Sequence, residues 1–78
     1  MIIDILSPDK KIYSGEVKSA QFPGTEGSFG LLNNHAPIIS TLKAGVINLV
    51  DDKNEKLSFN VKGGVVEMQK NKVIVLAE

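Results

Sequence analysis

With 78 residues the chain has room for one domain, spanning 1–78, and a domain of this size buries only roughly 60–65% of the surface its unfolded chain exposes. Nine lysines balance nine acidic residues and arginine is absent, so the basic, arginine-forked footprint of a nucleic-acid binder is missing; the aromatics are only Tyr13, Phe22, Phe29 and Phe59. The absence of cysteine excludes a disulfide framework, a thiolate metal site and a cysteine nucleophile.

The N-terminal run Met1-Ile2-Ile3-Asp4-Ile5-Leu6 is apolar, interrupted by Asp4, and far too short for a signal peptide. No stretch approaches the ~20 apolar residues of a membrane-spanning helix, and the expectation is a cytoplasmic chain, soluble or peripheral to something larger. Ser7-Pro8-Asp9-Lys10 suits a type I turn, because Pro8 pre-sets φ and Asp9 can bond its own backbone. Lys10–Phe22 then reads as strand-like. Val46, Asn48 and Val50 alternate with Ile47 and Leu49, and Leu57, Phe59 and Val61 alternate with Ser58, Asn60 and Lys62. Spacing two is the strand period, and no segment sustains a 3.6 period.

Lys43-Ala44-Gly45, Asp51–Glu55 and Lys70-Asn71 are expected to separate successive strands, with Gly45 and Asn71 able to take positive φ. Gly63-Gly64 inside a strand-like stretch marks a bulge or a close backbone approach. Val73-Ile74-Val75-Leu76 is a continuous apolar run, compatible with a strand covered by core and partner, or by core and one loosely covered face. The chain therefore reads as all-β, built as two small packed sheets or a flattened barrel.

The segment Phe22–Pro37, FPGTEGSFGLLNNHAP, holds Gly24, Gly27, Gly30 and the only histidine, His35. GxxGxxG has the wrong spacing for a dinucleotide fingerprint, opens no helix whose amides could meet a phosphate, and is followed by no Gly-Lys-Ser or Gly-Lys-Thr. Sharp turning between short strands accounts for the glycines. His35 has no second His or Cys to complete a zinc site and no evident triad partners, so its expected use is a hydrogen bond within the turn before Pro37, or a polar contact to a neighbouring protein. No catalytic residue, metal or cofactor is assigned. Glu26 reads as a solvated loop acid or an interface charge.

Taken in order, the chain carries Asp4-Ile5-Leu6-Ser7, Tyr13-Ser14-Gly15, Pro23 to Gly30, His35-Ala36-Pro37, Lys43-Ala44-Gly45, Gly63-Gly64-Val65-Val66-Glu67 and Val73-Ile74-Val75-Leu76-Ala77. Together these pieces resemble the N-terminal domain of the epsilon subunit of F-type ATP synthases, whose mitochondrial counterpart is called delta. Each is weak alone; their collinear order over essentially the whole chain is specific. Two positions depart from the family pattern: Asn33-Asn34 replaces the frequent Pro-Gly before His-Ala-Pro, and Ser28 stands where many relatives carry an acid. Asparagine tolerates the left-handed region, so the turn survives the first change.

The resemblance implies a flattened β-sandwich of roughly nine or ten short, mainly antiparallel strands. It implies a non-catalytic central-stalk subunit on the cytoplasmic face of the bacterial inner membrane, binding the gamma subunit and the c-ring so that ion-driven rotation is passed to ATP synthesis. A c-ring contact is expected at Glu26, Ser28, Asn33, Asn34 and His35, and a gamma contact at Ser7, Ser40, Val73 and Val75. The chain stops at Glu78, where the sandwich would end; for a complete chain the resemblance implies a coupling piece without the helical inhibitory and ATP-binding elements of longer relatives. The alternative is a free-standing β-sandwich module that binds a protein or a small ligand.

Overall fold

A computed structural model describes all residues from Met1 to Glu78. Six strands form one continuous sheet: β1 (Ile2–Leu6), β2 (Lys11–Phe22), β3 (Phe29–Leu32), β4 (Ile38–Asp51), β5 (Lys56–Gln69) and β6 (Lys72–Ala77). Their order is β1-β6-β5-β4-β2-β3, and a further β1–β2 pairing closes β1, β6, β5, β4 and β2 into a ring with β3 on the outer edge of β2. The all-β sandwich or flattened barrel read from the sequence is what the chain forms. No helix is long and apolar enough to cross a membrane.

Six hydrogen-bonded strands replace the nine or ten short ones because β2, β4 and β5 each run through both layers. The first half of β2 pairs with β1, and the second half pairs with β3 and β4. Residues 38–43 of β4 face the half of β5 that also pairs with β6, whereas residues 45–50 face Lys56–Val61. Counted by layer, the strands make nine short spans.

Lys43-Ala44-Gly45 is accordingly no turn. The chain stays extended through it, and Gly45, which does not take positive φ, leaves room for Pro23: a Cβ there would sit 2.7 Å from the proline Cβ. Asn71 (φ 60°) does take positive φ, as does Lys70 (φ 52°) beside it. In Ser7–Lys10 the Ser7 amide donates to the Lys10 carbonyl (2.9 Å), and the Lys10 amide donates to Ser7 Oγ (3.3 Å). The serine hydroxyl thus takes the place that a type I turn gives to the Ser7 carbonyl.

Alternation delivers one face of every strand to the interior. Sixteen apolar residues form the core, among them Ile3, Ile5, Val17, Phe22, Ile47, Leu49, Val66, Met68, Val73 and Val75, all at most 1% exposed. Phe22 stacks on Phe29 with centroids 5.4 Å apart, and Tyr13 meets Phe59 at 5.3 Å. No polar or charged side chain is buried, and the amino group of the buried Met1 is satisfied by the Val17 carbonyl at 3.1 Å. The result is a small rigid body whose functional options lie on its outer faces and loops.

Candidate interaction surfaces

Pairing register decides which residues of β1, β4, β5 and β6 look outward. Along β6, Val73, Val75 and Ala77 point inward and are buried, leaving Lys72, Ile74 and Leu76 on the outside. Leu76 pairs with Leu6 on one side and Val65 on the other, and Val65 pairs with Thr41. The next outward row runs Asp4, Ile74, Glu67, Ile39. Ile39 (71% exposed), Leu76 (56%) and Val65 (38%) put three exposed apolar side chains on this outer face, among Asp4, Thr41, Glu67 and Lys72. A shallow groove bounded by Leu6, Pro8, Val65 and Leu76 runs along its upper rim. Asp4 sits on the second row, accepting a hydrogen bond from Ser14 Oγ (2.5 Å) and lying 3.9 Å from Lys72 Nζ.

This geometry corrects the expected gamma contact. Val73 and Val75 are 0% exposed and belong to the core, so neither can touch a partner; Ile74 and Leu76 occupy the outer side of the same strand. Four consecutive apolar residues carry no alternation, and the sequence alone could not set the phase. Ser7 lies on the rim of the groove with its hydroxyl turned into its own turn. Ser40 shares the inward row of β4 with Ile38 and Leu42, half-buried, and its hydroxyl donates to the Thr41 carbonyl at 3.3 Å.

The Phe22–Pro37 segment divides around β3. Glu26 and Ser28 belong to the loop that precedes β3, where the Gly27 amide donates to the Gly24 carbonyl (3.0 Å) and the Thr25 and Thr41 hydroxyls meet at 2.7 Å. A Cβ on Gly24 would stand 2.6 Å from the Gly27 carbonyl oxygen and 2.9 Å from the Phe29 ring, so this glycine is required by close approach. Asn33, Asn34 and His35 follow β3. At about 3.3 Å rise per residue, Ser28 and Asn33 are about 16 Å apart. The five residues expected at one tip therefore form two separate loops.

The second loop is held from three directions. Asn34 adopts the left-handed conformation (φ 63°), which asparagine tolerates. Its amide donates to Asn71 Oδ1 in the β5–β6 turn (2.7 Å), and the Asn33 carboxamide oxygen accepts from the Met1 amino group. The His35 amide donates to the Leu32 carbonyl (3.2 Å), while ring Nδ1 lies 2.7 Å from the Ala36 carbonyl, a use of the histidine within its own turn. Leu32, 65% exposed, stands beside it. The sequence reading did not include Leu32, Ile39, Val65, Leu76 or Asn71 in any site. Only once register is known do the first four appear as exposed apolar side chains.

The full span, residues 1–78, matches the family described as ATP synthase, Delta/Epsilon chain, beta-sandwich domain. Among curated proteins, the chain is 44% identical over 77 residues to an ATP synthase epsilon chain of Leptospira borgpetersenii, covering 97% of this chain and 59% of that one. It is 43% identical to one of Chlorobium limicola, covering 97% and 86%. The chain thus spans well under two thirds of the Leptospira relative and most of the Chlorobium one. Among solved structures, its fold is similar to a chain of the Euglena gracilis mitochondrial ATP synthase (OSCP/F1/c-ring, rotational state 1), with a TM-score of 0.90 at 18% identity over 99% of this chain and 49% of that one. A chain of the Tetrahymena thermophila mitochondrial ATP synthase central stalk and c-ring gives 0.79 at 19% identity, covering 99% and 62%.

Proposed function

Because the chain belongs to the ATP synthase delta/epsilon chain beta-sandwich family, we propose that it is a central-stalk subunit of an F-type ATP synthase, without catalytic activity of its own. In this reading it rides at the cytoplasmic face of the bacterial inner membrane, binds gamma on one side and the c-ring on the other, and makes ring and stalk turn together so that ion flow drives ATP synthesis. The observation that carries it is the full-length family match. The fold suits the role: a coupling piece needs a body that does not deform and two surfaces that grip. The closed ring of strands supplies the first. The outer apolar face of Ile39, Val65 and Leu76 is the gamma surface we propose, with Ser7 at its rim. Exposed apolar side chains gathered on one face are the physical signature of a protein contact.

For the ring we propose two loops rather than one tip: Asn33-Asn34-His35 and, separately, Glu26 with Ser28. Their separation allows them to be tested one at a time. Reversing the charge of Glu26 and truncating His35 in separate variants of the full-length polypeptide is expected to weaken attachment to c-ring in each case by roughly 2- to 10-fold, with the melting temperature unchanged. Full attachment in one variant would remove that loop from the contact, and full attachment in both would remove the ring assignment. Affinity recovery from solubilised membranes tests the wider reading. Recovery with ATP synthase subunits is the expected result, and recovery with none of them would overturn the coupling role in favour of a free-standing module.

A further inference from the structure

We propose that Asn71 is the positioning residue of the Asn33–His35 loop, acting as a clasp from the neighbouring hairpin. The β5–β6 connection is a two-residue turn, Lys70-Asn71, closed by the Gln69–Lys72 pair. Both central residues have positive φ, 52° and 60°, the pattern of a type I′ turn. Such a turn favours glycine in its second place, where a Cβ is only a burden. Asparagine tolerates positive φ as well, so the turn admits it at position 71 but gives its side chain no task. The Asn34 amide supplies one: it donates to Asn71 Oδ1 at 2.7 Å, across 37 residues of sequence. Its carbonyl also accepts the Ile2 amide at 3.2 Å, so one residue ties the hairpin to β1 and to the loop. The loop's own left-handed residue, Asn34, is the one whose amide is held. What the positioned loop does rests on the ring-contact reading above; the clasp itself does not.

The bond uses only the acceptor oxygen of the carboxamide, and this makes the inference separable from turn chemistry. In the full-length polypeptide, Asn71→Gly preserves the turn and removes the acceptor, whereas Asn71→Asp preserves both. Amide hydrogen exchange at Asn34 is expected to rise roughly 3- to 10-fold in Asn71→Gly, the factor that one ordinary hydrogen bond supplies, with an unchanged melting temperature and with wild-type protection kept in Asn71→Asp. Unchanged exchange in Asn71→Gly, or an equal rise in both variants, would overturn the clasp. Attachment to c-ring, measured on the same variants, addresses the other reading separately. Faster exchange with weaker attachment supports both; faster exchange with full attachment keeps the clasp and removes the loop from the ring contact.

Discussion

Gly64→Ala is expected to destabilise the domain by about 3 kcal/mol or more, against a total stability of roughly 4–12 kcal/mol for a chain of this length. Gly64 has φ +148°, and a Cβ built on it would collide with the Leu76 carbonyl oxygen and come within 3.1 Å of Ala77 Cα. Both obstacles are backbone, so no rotamer change relieves them. Nor can Leu76 easily retreat, since it is paired to Val65 on one side and Leu6 on the other. The control is Gly27→Ala. Gly27 also has positive φ (+129°), but nothing lies within 4 Å of its Cβ position, so only the backbone strain of about 1–3 kcal/mol applies there, with no collision added to it. Urea denaturation of the two variants separates crowding from backbone preference. Equal losses would mean that Gly64 is needed for its dihedral alone, and the close approach of β5 and β6 would then carry no energetic weight. Because Leu76 lies on the outer apolar face, a backbone shift forced at Gly64 would also displace that face.

The Gly63-Gly64 pair illustrates what the sequence makes legible. Two glycines within an alternating strand pattern announced a bulge or a close backbone approach, and the structure has the second. Alternation likewise separated Ile47 and Leu49 from Asn48, because a period of two puts them on opposite faces, and the structure buries the first pair. Ala44-Gly45 looked like a break because glycine beside a small residue usually is one; here the glycine is needed for Pro23 to pack against an extended strand. The closure of the sheet was not legible. β1 runs parallel to β6 and antiparallel to β2, and the first of these pairings joins opposite ends of the chain. The split of the Phe22–Pro37 segment was hidden for a local reason: Phe29-Gly30-Leu31-Leu32 lies between turn signals and contains a glycine, so a four-residue edge strand passes for loop. The Asn34–Asn71 bond was hidden for a non-local one, since propensity could place each asparagine in its turn and could not bring the turns together.

Phase within β6 separates folding from binding, and two adjacent substitutions should reveal it. Leu76→Glu is expected to leave the melting temperature within a few degrees of wild type, because the side chain is already 56% exposed and surface changes of this kind rarely exceed about 0.5 kcal/mol. The same change is expected to weaken binding to gamma by at least roughly 30-fold, the effect of losing about 2 kcal/mol at a central contact. A carboxylate there must either shed its water against an apolar partner or hold the surfaces apart. Val75→Glu, one residue away, is expected to abolish folding. Its side chain is 0% exposed among Ile3, Ile5 and Val66, and an unpaired charge in that interior costs several kcal/mol, a large part of the whole margin. Circular dichroism distinguishes the two failures, since only the second removes the strand signal. Ile39→Glu, on the other side of the same face, should repeat the Leu76 result. If Leu76→Glu and Ile39→Glu both kept full affinity for gamma, the outer face of β4, β5 and β6 would not be the stalk contact proposed above, and the rim at Ser7 and Pro8, where the β1–β2 turn borders the groove, would be the next surface to test.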